Sequence, residues 1–517
     1  MSTAFKIISV FFRVAVAAGF VLFGGIISAQ QPVSTDDSSR ESAKLRLAMS
    51  YDLGNAKRGP AASRSLVVND ATVQGPAGLV MSNQIDNSMH GPVLRPSLLA
   101  SNATNRAPIG LLELATHALA DHPTLRMAAA STMIDDERVE QARGVLRPSA
   151  SGTLTYQHEF ERAGTTVPFR NQSGGVEATF PLYRPQAFAA IDVARFKFES
   201  TSAQSAETGN ALLAAIVTGY FGAIQQATET RTLLAERELL LAQRDINEKR
   251  MRGGIGTLVE VLETAARADL LTGQVRGAEG AEKVLLAELA RLAVMPVTAV
   301  YFMKDEPPAL VVPGSVEAAF ETARRTSPTL NRLQKALDSA RANVGAQKGA
   351  YLPSIDVVAN LNRSWIQYDG SSSLSPSTGI GIRLSVPLYS GGITDSRVRE
   401  AYAQVERATE ELRDSHNTLQ SELLKAYADL DRGQSQLAAN VAALRISQSA
   451  LEATVKAFNA GVRSNIDVLN VQQQAFSTRR EAARARVAIQ LAQSRILALT
   501  GTLDLAAIGR LALSLGG

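Results

Sequence analysis

The chain has 517 residues and a formal net charge of +4, from 53 Lys+Arg against 49 Asp+Glu. The charges are interspersed rather than gathered in a basic block, which excludes a nucleic-acid footprint. Cysteine is absent, which excludes disulfides, thiolate metal sites, a cysteine nucleophile and an N-terminal lipidated cysteine.

Lys6 and Arg13 precede an apolar run from Val14 to Ile27, and the small residues Ser28 and Ala29 follow. The run is short for a bilayer span, which takes about 20 residues. Its flanking charge and small exit residues fit a secretory signal peptide over 1–29, with an uncleaved anchor as the alternative. No later segment reads as apolar enough to cross a membrane as a helix, so a spanning form of this chain would be a barrel. Residues 30–106 are rich in Ser, Asn, Asp, Gly and Pro and keep no period, which predicts a largely disordered extension.

Two similar copies follow, expected over 107–295 and 314–501. The first opens with Leu111-Leu112-Glu113-Leu114-Ala115 and reaches His122-Pro123-Thr124-Leu125; the second opens with Val316-Glu317-Ala318-Ala319-Phe320 and reaches Ser327-Pro328-Thr329-Leu330. Each continues as a helical stretch to a proline, Pro148 or Pro353, then two strands, then Phe-Pro-Leu-Tyr at Pro181 or Val-Pro-Leu-Tyr at Pro387. These four prolines mark the strand–helix junctions. Long helices are expected over about 187–252 and 393–460, carrying the matched Tyr220 and Tyr427, with return helices over about 257–293 and 464–500. At 1.5 Å per residue each long helix spans roughly 100 Å.

The two turns match at one spacing, Gly254 with Gly461, Glu260 with Asp467 and Val261-Leu262 with Val468-Leu469. Gly254 and Gly461 can take the left-handed conformation that ends a helix. Thr257-x-x-Glu260 and Ser464-x-x-Asp467 read as capping boxes that start the next. A proline-rich connection over 296–313 joins the copies, and a C-terminal segment over 502–517 is expected to pack with it as a collar beside the helices.

The strands carry the membrane argument. Ile380, Ile382, Leu384 and Val386 alternate with polar residues, and 355–362 and 176–180 do likewise, with 152–158 weaker. No amphipathic partner is available to cover the apolar face, so lipid is expected there, with Glu177, Asp356, Asn360 and Arg383 facing a wet lumen. Tyr156, Tyr183, Tyr351, Trp365, Tyr368 and Tyr389 lie near strand ends, as interfacial anchors would. Four strands cannot close a barrel, for which about eight is the practical minimum, so the chain is expected to oligomerise.

Taken together, 109–501 resembles the TolC-type outer-membrane efflux protein family, most specifically at Phe458-x-x-Gly461-x-Arg463-x-x-x-Asp467-Val468-Leu469 and at the paired Phe-Pro-Leu-Tyr and Val-Pro-Leu-Tyr. The resemblance implies a mainly α fold with a small β part. In it, duplicated helical hairpins form a trimeric α-barrel in the periplasm, and four strands per subunit contribute to a twelve-stranded outer-membrane β-barrel. It implies a homotrimer in outer-membrane lipid that works with a periplasmic adaptor and an inner-membrane transporter, ABC or proton-driven, to export small molecules or a secreted polypeptide. It also implies a closed periplasmic gate at the tips. By position, Arg463 matches the family's linking arginine, Glu260 its acidic partner and Asp467 an acidic ring. Phe458 stands where a tyrosine donates a hydrogen bond, and Asn470 where a second aspartate sits, which implies a weaker lock and lower cation preference. The surface around Gly254 and Gly461 is the expected adaptor dock.

Beside this stands a simpler account of the same residues, in which Glu260 and Asp467 only cap helices and Arg463 is an exposed loop residue. The rival for the whole chain is a secreted coiled-coil stalk without a barrel, which leaves the strand faces unexplained. Catalysis has no foothold: the five histidines are scattered, 253–257 lacks the Lys-Ser/Thr of a phosphate-binding loop, and no G-x-S-x-G elbow occurs. No cofactor or metal is expected.

Overall fold

The computed structural model describes residues 108–159, 169–304, 312–368 and 371–516. The leader at 1–29, the extension at 30–106, His90 and the prolines at 307 and 308 lie outside the described residues. Each copy runs helix, helix, strand, strand, long helix, return helix. In the first copy these are α1 (Leu111–Asp121), α2 (Pro123–Gly144), β1 (Ser149–Glu159), β2 (Phe169–Tyr183), α3 (Pro185–Arg252) and α4 (Leu258–Ala293). In the second they are α5 (Val316–Thr326), α6 (Pro328–Gly349), β3 (Ser354–Tyr368), β4 (Ser371–Ser385), α7 (Ile393–Asn459) and α8 (Asn465–Leu499), and α9 (Leu505–Ala512) closes the chain.

The long helices α3 and α7 have 68 and 67 residues, about 100 Å each at 1.5 Å per residue. Prolines at the first turn set the starts of α2, α3 and α6, where a missing N–H costs nothing. α3 packs against α2, α4, α6 and α8, and α7 against α6 and α8. The hairpins are therefore laid side by side with few layers, and the buried apolar residues fall into one large collar and three smaller clusters.

That collar is the main core. Leu212, Ile216, Tyr220, Phe221 and Ile224 of α3 meet Leu111 and Leu114 of α1, Val297 and Val300 of the connection, and Ile508 and Leu511 of α9. The connection bridges to the C-terminus at Met303 and Leu515, and to the start of the copy at Val300 and Ile109. The buried Tyr220 hydroxyl donates to Ile109 O (3.0 Å) and accepts from Tyr301 N (3.1 Å), and burial pushes its pKa up to about 12. Tyr427 repeats the device in the second copy, donating to Pro313 O at 2.5 Å. The same core corrects one sequence expectation: part of α3 is long and apolar enough to cross a membrane, but half of that stretch is buried inside the protein.

The four strands form one antiparallel meander, β1-β2-β3-β4. They run longer than their alternating stretches, because β2 begins at Phe169 and β4 at Ser371. Val386, expected on the lipid-facing strand, lies past the end of β4: β3 starts at Ser354 opposite Ser385, so Val386 has no cross-strand partner. Pro148, Pro353 and Pro387 flank strand ends, whereas Pro181 lies inside β2 at a register irregularity, with Arg184 between strand and helix.

Candidate functional site

Two places carry the chemistry of this chain: the sheet surface at one end of the hairpins and the helical turns at the other. Cross-strand register puts Ala178, Ala359 and Ile380 on one row and Val176 with Leu361 on the next. Val357 with Ile382 and Ile355 with Leu384 continue the same face. On it Ile380, Ile382 and Leu384 are 76%, 74% and 61% exposed, and Leu154 of β1 is 87% exposed. A contiguous apolar face this open is a site where something apolar must sit.

The opposite face is polar. Glu177 lies opposite Asn360, and Arg383 opposite Asp356, with Arg383 Nη2 3.7 Å from Glu177 Oε1. Asp356 departs from the expectation of a wet position. It is buried, and Arg184 donates to it through Nε at 2.8 Å and Nη2 at 3.1 Å. This bidentate pair ties the foot of β3 to the start of α3 across the boundary between the copies.

At the first turn Gly254 has φ +73°, and at the second Gly461 has φ +77°. Both boxes form. Thr257 Oγ1 accepts from Glu260 N at 3.3 Å, and Thr257 N donates to Glu260 Oε2 at 3.2 Å. Ser464 Oγ accepts from Asp467 N at 3.3 Å, while Ser464 N and Oγ reach Asp467 Oδ2 at 3.0 and 2.8 Å. The Ser464 hydroxyl, then its N–H, then the charge of Arg463 hold the Asp467 carboxyl below its ordinary value.

Of the residues expected at the gate, Arg463 and Asp467 lie near each other, 4.0 Å apart, with the Arg463 side chain 61% exposed. Glu260 stays in its own capping box. Phe458 is buried, with the Arg250 guanidinium over its ring at 4.6 Å. Asn470 accepts from Arg267 of α4 at 2.7 Å.

What ties one hairpin to the other had not been visible in the sequence. Asn247 of α3 is fully buried and its amide donates to Thr264 Oγ1 (3.0 Å), to Asn465 Oδ1 (3.0 Å) and to Glu260 O (3.4 Å). Asn465 Nδ2 donates in turn to Thr264 Oγ1 at 3.3 Å, and Gln243 donates to Asn247 Oδ1 at 3.2 Å. Two ion pairs continue the seam between α3 and α8, Glu236–Arg480 at 2.8 Å and Glu229–Arg484 at 3.0 Å. A run of polar residues at helical spacing was the only available signal, and it does not say which of them are buried. Among the described residues no cluster of three metal-ligating side chains occurs.

Residues 114–293 and 319–502 match the family model described as outer membrane efflux protein. The alkaline protease secretion protein AprF of Pseudomonas aeruginosa is 27% identical over 336 residues, covering 63% of this chain and 68% of the relative. Outer membrane protein TolC of Vibrio cholerae is 24% identical over 408 residues, 76% of this chain and 91% of the relative. The crystal structure of the Campylobacter jejuni CmeC outer membrane channel has the same fold, with a TM-score of 0.67 at 14% identity over 86% of this chain and 98% of that one.

Proposed function

The chain belongs to the outer membrane efflux protein family, and from that premise we propose that three copies form a closed exit duct through the outer membrane and across the periplasm. Membership makes it an outer-membrane export component rather than an enzyme, and it leaves no place for a secreted coiled-coil stalk. In our reading each copy supplies its four strands to one twelve-stranded β-barrel, and its hairpins to a hollow periplasmic α-barrel. The observation that carries this is the sheet: an amphipathic meander with its apolar face uncovered and, among the described residues, the outer edges of β1 and β4 unpaired. A face of this kind is stable against lipid, and edges of this kind are stable only when paired.

The duct has no energy source of its own. A periplasmic adaptor, docked around the turns at Gly254 and Gly461, and an inner-membrane transporter, ABC or proton-driven, would deliver the cargo. That cargo is a small molecule or a secreted polypeptide; AprF is itself named for protease secretion. Opening requires the adaptor to bind an open tip more tightly than a closed one, since a partner shifts a conformational equilibrium only by differential affinity. Arg463, Asp467 and Glu260 are the proposed gate residues, with Phe458 and Asn470 weakening it relative to a tyrosine and an aspartate.

Planar-bilayer recording of the purified protein tests the reading. It predicts discrete conductance steps that are small in the unmodified chain and larger in Arg463→Ser. A protein that never conducts would contradict the duct, and conductance unchanged by Arg463→Ser would remove Arg463 from the gate.

A further inference from the structure

The apolar face of the sheet changes character at one end. Tyr156, Gln172 and Trp365 form one row across β1, β2 and β3. In the row beyond it His158 and Gln367 flank Arg170, and in the row before it Arg363 stands opposite Gly174. Residues two apart on a strand share a face, so all three rows belong with Ala178, Ala359 and Ile380. Among the described residues of the strands, this face carries Arg170, Arg363 and His158 and no carboxylate. Glu177 and Asp356 lie on the other face. The basic groups are therefore gathered at one end, with no acid beside them on that face.

That end is the outer one. The helices leave the sheet after Tyr183 and Ser385 and lie in the periplasm, so the Trp365 row stands at the far side of the membrane. From Ile355 to Trp365, β3 rises about 3.3 Å per residue, and at a tilt of about 40° it covers roughly 25 Å, the height of a lipid-facing band. Tyr156 and Trp365, 63% and 46% exposed, then fall at the interface, where such rings settle. The exposed Arg170 falls among the headgroups. Arg363 falls just inside the band, where a charge is costly unless it reaches the headgroups. Its neighbour Gly174 has no side chain to block a guanidinium turned outward.

We propose that Arg170 and Arg363 together bind the phosphate of an anionic lipid in the outer leaflet, whose acyl chains lie along the apolar rows below. His158, directly opposite Arg170, supplies a further donor at the same level. A guanidinium holds a phosphate through two parallel N–H bonds, and clustered basic groups at a membrane surface select anionic headgroups over zwitterionic ones. A lone arginine at a strand end would need no partner beyond water. Two of them, on either side of an aromatic row and without an acid on their face, form a site for an anion. The inference rests on the lipid-facing reading of the sheet and adds which lipid that face takes at its outer rim.

Trp365 is the only tryptophan of the chain, so its fluorescence reports this site alone. In vesicles of phosphatidylcholine brominated on its acyl chains, that fluorescence should be quenched. An unquenched Trp365 would overturn the lipid-facing reading and the site with it. Unbrominated bisphosphorylated lipid A, added at a few mole per cent, should restore the signal with a preference of about tenfold or more over phosphatidylcholine. Dephosphorylated lipid A should show no preference, and excess inorganic phosphate should leave the preference of the bisphosphorylated lipid intact. The preference should vanish in Arg170→Gln/Arg363→Gln and persist in Arg383→Gln, whose charge lies on the other face, while brominated lipid still quenches both variants. A preference that survives the double substitution, or that the dephosphorylated lipid shares, would overturn the site and leave the sheet in lipid. Loss of the preference in inorganic phosphate would make the ligand a free anion and overturn the lipid assignment.

Discussion

Asn247 joins three elements through one amide. Its partners, Thr264 and Asn465, are buried with it, so removing it leaves the Asn465 Oδ1 acceptor without its donor, although Asn465 Nδ2 still donates to Thr264. Asn247→Ala is expected to destabilise the protein by about 1–3 kcal/mol, the cost of leaving a buried partner unsatisfied, read as a fall in the thermal midpoint of the helical signal. Asp467 acts differently because it is exposed and its worth depends on charge. Its folded-state pKa lies below the ordinary 3.8, so its capping contribution is complete above the ordinary value and is lost as the pH falls below it and through the lower folded-state value. Hydrogen exchange of the first turn of α8 should therefore accelerate relative to mid-helix on going from about pH 5 to about pH 3. Asp467→Asn should be faster at the higher pH and lack that dependence. The cap at Asp467 was legible in the sequence because its chemistry is contained in four consecutive residues. The knot at Asn247 was not, because its partners come from α4 and from the other hairpin.

The helices were readable from their periodicity and their prolines, and the turns from Gly254, Gly461 and the residues after them. The strands were readable only where apolar and polar residues alternate. Ser371–Gly379 consists of serines, one proline and few apolar side chains, so it reads as a loop, yet it is held in β4 by its ladder to β3. Tertiary pairing overrides weak strand propensity there. The sidedness of the strand leads to a contrast test. Ile382→Lys places a charge on the proposed lipid face, where it should cost up to about 2–4 kcal/mol at the bilayer midplane. Ser377→Lys places the same charge on the polar face and should cost much less. Yield of heat-sensitive trimer from detergent-refolded protein compares the two, and equal yields would mean that the apolar face does not meet lipid.

At the scale of the molecule, one duplication accounts for most of the architecture. Two copies lay four hairpin helices beside a four-stranded sheet whose inner seam is fixed by Arg184 and Asp356, while the collar of α1, α3, the connection and α9 holds the helices together. The measurement that tests the central claim most directly is membrane fractionation followed by gel electrophoresis of unheated and boiled samples. The account predicts an outer-membrane band at trimer mass that collapses to a monomer on boiling. A soluble product, or a monomer at both temperatures, would contradict it.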